Sequence, residues 1–162
     1  MFEKQNISNN KEEMYSLIIK QLNYLLEDVN DNIANLSNTS ALLNVYLENI
    51  NWVGFYLYKN SELVLGPFQG MPACTKIQIG NGVCGTAAKT LSTMVVDDVG
   101  AFPGHIACDG ASKSEIVVPI IIEDKLFGLL DIDSPILSRF DEDDKLYLEN
   151  VINTIISYIS ID

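Results

Sequence analysis

Apolar residues near the start of the chain recur at intervals of three or four positions. Such spacing places side chains on one face of an α-helix. The recurring positions are Met14, Ile18, Leu22, Leu25 and Val29. The pattern therefore predicts an amphipathic helix over residues 12–29, with Leu17 and Leu26 widening its apolar stripe.

Two further segments show helical spacing. The first follows residues 37–39, which we expect to cap it. Its apolar side is formed by Ala41, Leu42, Val45 and Tyr46. The second covers residues 141–159, where Asp141 suits the N-cap because its carboxylate can accept hydrogen bonds from the backbone of the first turn. The acidic residues 142–144 then lie favourably at the positive end of the helix dipole.

Shorter apolar runs, which are typical of β-strands, fill the middle of the chain. They lie at residues 52–58, 63–68, 75–79, 93–96, 116–122 and 126–132. Residues 59–62 and 123–124 are predicted to turn two hairpins, and residues 86–90 to form a short helix. We expect both strands of the first hairpin to be buried on both faces. The order of elements predicts an α+β domain with a central, mainly antiparallel sheet of about six strands and the N- and C-terminal helices packed on one face.

Composition and charge narrow the classes of protein. With 162 residues, 48% of them hydrophobic, the chain is expected to form one domain over residues 1–162, with residues 1–11 as a flexible tail. The net charge of −12 argues against nucleic acid or an anionic membrane as a partner, because both attract clustered Lys and Arg. No apolar run approaches the roughly 18 residues of a membrane span, and the polar start is unlike a signal peptide. We therefore expect a cytoplasmic protein.

The segment at residues 80–85, with the sequence GNGVCG, has the glycine spacing of a dinucleotide-binding loop. Alone that match is weak, and the helix predicted after it is too short for a crossover to a parallel strand. The segment also lacks the Gly-Lys-Ser/Thr ending of a P-loop. We favour a tight strand-to-helix turn in which glycine supplies a positive φ.

The three cysteines, Cys74, Cys84 and Cys108, all lie in the glycine- and proline-rich middle of the chain. A reducing cytosol would keep them as thiols, and each could be a small buried hydrophobic residue or a reactive group. His105 and Cys108 would make a reasonable half-site for zinc. However, nine residues separate Cys74 from Cys84, whereas structural zinc sites place about 2 to 4 between paired ligands. We expect no metal.

The loop at residues 102–115 is long for a compact domain, which is unusual unless the loop serves a site. It carries Cys108. Thiol redox chemistry would need one reactive thiol, a second thiol to resolve it, and groups that protonate a leaving oxygen. Glu115, Asp131 and Asp133 lie at predicted strand ends. Buried in an apolar pocket they would have raised pKa values and act as acids; solvated turn residues are an equal alternative.

Six segments carry a family resemblance when they are taken together. They are residues 51–56 (NWVGFY), 65–70 (LGPFQG), 80–85 (GNGVCG), 102–108 (FPGHIAC), 114–119 (SEIVVP) and 131–135 (DIDSP). This set resembles the free methionine-R-sulfoxide reductases, which are GAF-fold enzymes distinct from the reductases that repair methionine sulfoxide within proteins. The likeness extends over residues 15–151 and preserves the order of the motifs.

The resemblance implies a reaction in which free methionine R-sulfoxide and two thiols give methionine, water and a disulfide. Cys108 matches the attacking cysteine, Cys74 matches the resolving one, and Cys84 matches a third cysteine that is an alternative resolver. Glu115 and Asp133 match acids that bind the substrate and help to protonate its oxygen.

Other site residues and partners also follow from the resemblance. Asp131 lies beside the acids, Trp52 matches the aromatic residue that packs against the S-methyl group, and Tyr56 assists it. Thioredoxin is the implied reductant, with no bound cofactor, and a homodimer is consistent with the wide apolar faces of the terminal helices. Two alternatives stay open: a GAF-type sensor that binds a small molecule without chemistry, and a structural or zinc-stabilised interaction module.

Overall fold

A six-stranded antiparallel sheet forms the centre of the protein over the residues that the computed structural model describes, which are 3–5, 10–104 and 110–161. Its strands are β1 (Trp52–Lys59), β2 (Glu62–Gly70), β3 (Lys76–Gln78), β4 (Met94–Val96), β5 (Ser114–Ile122) and β6 (Lys125–Ser134). Their order across the sheet is β3-β2-β1-β6-β5-β4, and every neighbouring pair is antiparallel. The predicted α+β class and sheet are confirmed.

The helices divide between the two faces of the sheet. They are α1 (Lys11–Leu26), α2 (Asn32–Tyr46), α3 (Gly82–Thr90) and α4 (Glu142–Ile156), and a short 3-10 helix covers Val99–Ala101. Side chains of a strand alternate between faces. Val53 and Phe55 therefore pack with α1, α2 and α4, whereas Trp52 and Tyr56 lie on the face covered by α3. None of the described helices is long and apolar enough to cross a membrane.

Burial of the first hairpin differs between its strands. The first six residues of β1 are buried on both faces, as predicted, because β1 pairs with β2 and β6 and is covered above and below. The prediction is wrong for β2, most of which is only half-buried. Its neighbour β3 has only three residues, so most of the outer side of β2 lacks a partner strand.

The predicted cap of the second helix is wrong. Helix α2 begins at Asn32 with Asp31 as its N-cap, and the Asp31 carboxylate accepts a 2.8 Å hydrogen bond from the backbone N–H of Ala34. Ser37 and Thr39 lie inside the helix, where each hydroxyl donates to the carbonyl four residues earlier. Such bonds satisfy polar hydroxyls within a helix, so a Ser/Thr run need not mark its start.

The ends of the other helices also shift. Asn10 and Lys11, expected to belong to the tail, are the N-cap and first residue of α1, which ends at Leu26 instead of residue 29. Asp141 is the N-cap of α4 as predicted, and that helix ends at Ile156 instead of residue 159. Helix α3 begins at Gly82 instead of residue 86, so Cys84 belongs to the first turn of a helix.

The glycine-rich segment before α3 is a tight turn. Gly80 and Gly82 have φ angles of 91° and 62°, which side chains other than glycine rarely adopt. A Cβ atom on Gly85 would lie 2.4 Å from the carbonyl oxygen of Gln78, so the helix approaches the preceding strand closely. The interpretation as a turn, in place of a dinucleotide loop, agrees with this geometry.

Candidate active site

Three neighbouring strands bring acidic and aromatic side chains into one row. Asp133 of β6 is the register partner of Trp52 on β1 and of Glu115 on β5. Asp131, two positions earlier on β6, shares that face and lies opposite Gly54 of β1. Glu115, Asp131 and Asp133, which we call the acid cluster, are therefore assembled by strand register. They lie within strands β5 and β6, near the ends of each.

The acid cluster is covered by the start of α3. Glu115 and Asp131 are 5% and 6% exposed, and Asp133 is half-buried. The buried thiol of Cys84 donates to Oε1 of Glu115 over 3.7 Å. Ligand atoms of Cys84, Glu115 and Asp131 all lie within 4.8 Å of one another. Of the two alternatives left open by the sequence, the structure therefore selects buried acids for Glu115 and Asp131.

Burial dominates the electrostatics of this site. It raises the pKa of Glu115 to about 8, with a further rise from the negative charge of Asp133, while hydrogen bonds with Asp131 and Cys84 act in the opposite direction. Burial, followed by the charge of Glu115, raises the pKa of Asp131 well above its ordinary value. The pKa of the Cys84 thiol is raised by burial and then by Asp131. At neutral pH the site is therefore rich in bound protons.

Three aromatic rings form what we call the aromatic wall. Trp52 stacks on Phe68 with ring centroids 5.3 Å apart and on Tyr56 with centroids 6.0 Å apart. The stack depends on Gly54, because a Cβ there would lie 2.7 Å from the Trp52 ring and 2.3 Å from Cβ of Phe68. The family resemblance predicted Trp52 and Tyr56 as site residues. It did not predict a role for Phe68 or Gly54, although both lie within the motifs that carry the resemblance.

Polar atoms of the aromatic wall contact the loop that follows β2. The indole Nε1 of Trp52 donates to the carbonyl oxygen of Met71 at 3.1 Å, and the Tyr56 hydroxyl donates to the carbonyl oxygen of Cys74 at 2.9 Å. Burial, followed by the charge of Asp131, raises the pKa of Tyr56, so its hydroxyl stays protonated. Sequence reasoning did not find these contacts, because a backbone acceptor leaves no signal in residue identity.

The cysteines occupy different environments. Cys74 is half-buried between β2 and β3 and takes part in a disulfide, while Cys84 is a buried free thiol. Cys108 and His105, the predicted attacking thiol and half-site ligand, lie outside the described residues. Because Cys74 is in a disulfide, it is not available as a thiolate ligand, which argues against a zinc site made from His105 and the three cysteines.

A second set of possible metal ligands lies beside the aromatic wall. Among the described residues, Cys84, Glu115 and Asp131 are the group of three close enough to hold an ion. Metal ligands must be deprotonated, whereas burial favours the protonated form of all three groups. In their protonated forms the three groups can donate protons and hydrogen bonds to a bound molecule.

The fold and the acid-lined face of the sheet define the protein as a GAF domain, and the sequence profile described as "GAF domain" matches residues 26–157. Over 143 residues the chain is 46% identical to the free methionine-R-sulfoxide reductase of Escherichia coli strain K12, covering 88% of this chain and 87% of that protein. It is 50% identical over 154 residues to the free methionine-R-sulfoxide reductase of Saccharomyces cerevisiae, covering 88% of this chain and 83% of that protein. The chain belongs to the free methionine-R-sulfoxide reductase family.

A solved structure agrees with this assignment. The free methionine-R-sulfoxide reductase of Neisseria meningitidis, in complex with its substrate, superposes with a TM-score of 0.93 at 42% identity. The alignment covers 98% of this chain and 95% of that chain. The likeness therefore includes the whole fold that positions the acid cluster and the aromatic wall.

Proposed function

We propose that this protein reduces free L-methionine (R)-S-oxide to L-methionine while two of its cysteine thiols become a disulfide. The observation that carries the proposal is the row of Trp52, Asp133 and Glu115 across β1, β6 and β5. It places an apolar surface and acidic groups at neighbouring positions, which is what a small zwitterionic sulfoxide needs. Family membership supports the same substrate.

The reaction balances as two coupled steps. The thiol of Cys108 attacks the sulfoxide sulfur and forms an S–S bond. That bond and the S–O bond of the substrate then break as the oxygen passes to Cys108, which becomes a sulfenic acid, and methionine leaves. The thiol of Cys74 then attacks that sulfenic acid, forming the S–S bond and releasing water. The sulfoxide gains two electrons, and the two thiols lose them. The participation of Cys74 in a disulfide supports its role as the resolving cysteine.

Glu115 is the proposed proton donor to the sulfoxide oxygen. Its pKa of about 8 keeps it protonated at neutral pH and still able to release the proton. Burial, followed by the charge of Glu115, also raises the pKa of Asp131, which in its acid form would donate a hydrogen bond. Asp133 is less buried, so a negative charge costs less there, and we assign it to the substrate ammonium group.

We propose that the aromatic wall binds the S-methyl group of the substrate. Trp52 stacks with both Tyr56 and Phe68, which hold its ring in place as an apolar surface. Tyr56 extends that surface. A closed pocket over this surface would favour the free amino acid over a residue within a peptide chain.

Cys84 is less suited than Cys74 to resolve the sulfenic acid. A thiolate is the reactive form of cysteine, and burial beside two acids disfavours the thiolate of Cys84. Its hydrogen bond to Glu115 supports a role in the acid cluster instead. It remains the alternative resolver should Cys74 be replaced.

The disulfide must be reduced externally for turnover. We propose thioredoxin as the reductant, with NADPH as the ultimate electron source and no cofactor bound to the protein. The acidic chain, with its net charge of −12, is proposed to act in the cytoplasm without nucleic acid or membrane partners. A homodimer through the helical face is a further proposal, based on exposed apolar residues such as Tyr24 and Ile33.

A thioredoxin-coupled assay tests the proposal directly. NADPH consumption is measured with free methionine R-sulfoxide and, separately, with the S form; consumption with only the R form is expected. Activity with only the S form would contradict the assignment. The variant Cys108→Ser should lose turnover and retain binding of methionine. Binding to the unmodified protein without any turnover would favour the sensor alternative.

A further inference from the structure

The loop that carries Cys74 is fastened to the aromatic wall. This loop, residues 71–75, connects β2 to β3. Two of its carbonyl oxygens, those of Met71 and Cys74, accept hydrogen bonds from Trp52 and Tyr56. Both donors come from one strand, are four positions apart and therefore point to the same face of the sheet.

The donors are held more firmly than the loop. Trp52 and Tyr56 are 2% and 1% exposed and belong to β1, which pairs on both sides. Met71, in contrast, is 65% exposed, and residues 71–75 belong to no strand or helix. The backbone also passes close to the indole at Gly70, where a Cβ would lie 2.5 Å from Trp52 Cδ1. The aromatic pair therefore supplies two fixed points for this loop, beside the packing of Ala73 and Cys74 on the core and the bond from the Leu65 N–H to the Thr75 carbonyl.

We infer that Trp52 and Tyr56 are positioning residues for the resolving step, in addition to the substrate-binding role given to them under the proposed function, on which this inference rests. The Tyr56 hydroxyl fixes the carbonyl of Cys74 and so limits the positions that its sulfur reaches. It acts on the step in which the Cys74 thiol attacks the sulfenic acid, the S–S bond forms, and water leaves with the thiol proton. It takes no part in the transfer of oxygen from the substrate.

The inference predicts that a change at Tyr56 slows disulfide formation more than methionine formation. Removing the Tyr56 hydroxyl leaves the ring, and hence the apolar surface, in place. The carbonyl of Cys74 loses its donor, and the loop spreads over more positions. Since a typical hydrogen bond contributes modestly, disulfide formation should slow by about fivefold. Methionine formation in the first turnover, measured at saturating sulfoxide because Tyr56 also belongs to the substrate surface, should slow less than disulfide formation.

Single-turnover kinetics without thioredoxin separate the steps. Reduced protein is mixed with free methionine R-sulfoxide; methionine is quantified by chromatography, the disulfide by mass after alkylation, and the sulfenic acid by trapping with dimedone. In Tyr56→Phe, trapped sulfenic acid should increase, because disulfide formation is slowed more than methionine formation. The matched control is Tyr58→Phe, on the same strand but 42% exposed, and it should change neither rate.

A second variant tests the same inference if Tyr56→Phe does not fold. Trp52→Phe removes the donor to Met71 and keeps an aromatic ring, and it should slow disulfide formation in the same way. A disulfide rate that is normal in both variants overturns the inference, as does an equal loss of methionine formation and disulfide formation. Failure of the unmodified protein to form methionine would contradict the proposed function itself, which is a distinct result.

Discussion

The Sγ atom of Cys84 lies 3.7 Å from Oε1 of Glu115, so a thiol from the first turn of α3 contacts the acid at the start of β5. The contact closes the acid cluster on the side opposite the sheet. It also makes the proton affinity of Glu115 depend on an element other than its own strand. The role of Glu115 as a proton donor can therefore be tested by variants of Glu115 and by variants of Cys84.

Replacing Glu115 by Gln should lower turnover by about 100-fold, because the amide cannot donate a proton to the sulfoxide oxygen. Steady-state NADPH consumption measures the effect. The exposed Glu27 provides a matched control, and Glu27→Gln should leave the rate unchanged. Retention of full activity by Glu115→Gln would reassign proton donation to Asp131.

Stability should fall as pH rises between about 4.5 and about 8. The pKa of Glu115 is 4.5 in its ordinary state and about 8 in the folded protein, so the folded state retains a proton that the unfolded state releases. The associated stabilisation is complete below pH 4.5 and is lost as pH rises through about 8. Urea unfolding at several pH values should show this slope, and Glu115→Gln should make it shallower.

Asp141, whose pKa is shifted in the opposite direction to that of Glu115, does not titrate between pH 4.5 and 8. The Lys11 ammonium, which lies 2.6 Å from the carboxylate, lowers the pKa of Asp141 to about 2, so this group titrates below that range. Equal slopes in the unmodified protein and Glu115→Gln would show that Glu115 is not the group responsible.

Replacing Gly54 by Ala should damage the aromatic wall. The added Cβ would meet Phe68 at 2.3 Å and the Trp52 ring at 2.7 Å, so one of these groups must move. Overpacking of this kind costs about 1–3 kcal/mol, and displacement of Trp52 should raise KM for the sulfoxide. An unchanged KM in Gly54→Ala would argue against Trp52 as the substrate surface.

Replacing Asp144 by Asn should destabilise the fold without altering the site. Its buried carboxylate accepts hydrogen bonds from Tyr15 at 2.8 Å, Lys11 at 2.7 Å and Arg139 at 3.3 Å, and so joins α1 to α4. Breaking such a buried network costs about 3–5 kcal/mol. Urea unfolding of Asp144→Asn, compared with the exposed neighbour in Asp143→Asn, should show the difference. Similar stability of the two variants would contradict this assignment.

Periodicity identified most of the fold, and its errors have local causes. Alternation and helical spacing placed all six strands and the terminal helices, because their apolar faces are continuous. The start of α2 was missed because its cap, Asp31, lies in a polar run and the hydroxyls of Ser37 and Thr39 bond within the helix. Such bonds have no distinctive spacing in sequence.

The motifs predicted several residues of the site, but not the burial of its acids or its contacts with backbone carbonyls. Resemblance supplied Trp52, Glu115 and Asp133, whose adjacency then follows from register. The residues alone left their burial open, since a carboxylate at a strand end is equally suited to solvent. The bonds from Trp52 and Tyr56 to backbone carbonyls depend on the path of a loop and could not be predicted from side-chain identity.

Replacing Cys84 by Ala should shift the pH dependence of activity instead of abolishing activity. The thiol hydrogen bond lowers the pKa of Glu115, so its loss should raise that pKa above its present value of about 8. The alkaline limb of the kcat/KM profile, where Glu115 loses its proton, should therefore move to higher pH. Cys84→Ser, which retains a hydroxyl donor, should keep the limb near its original position. Complete loss of turnover in both variants, with methionine still formed once, would instead identify Cys84 as the resolving thiol.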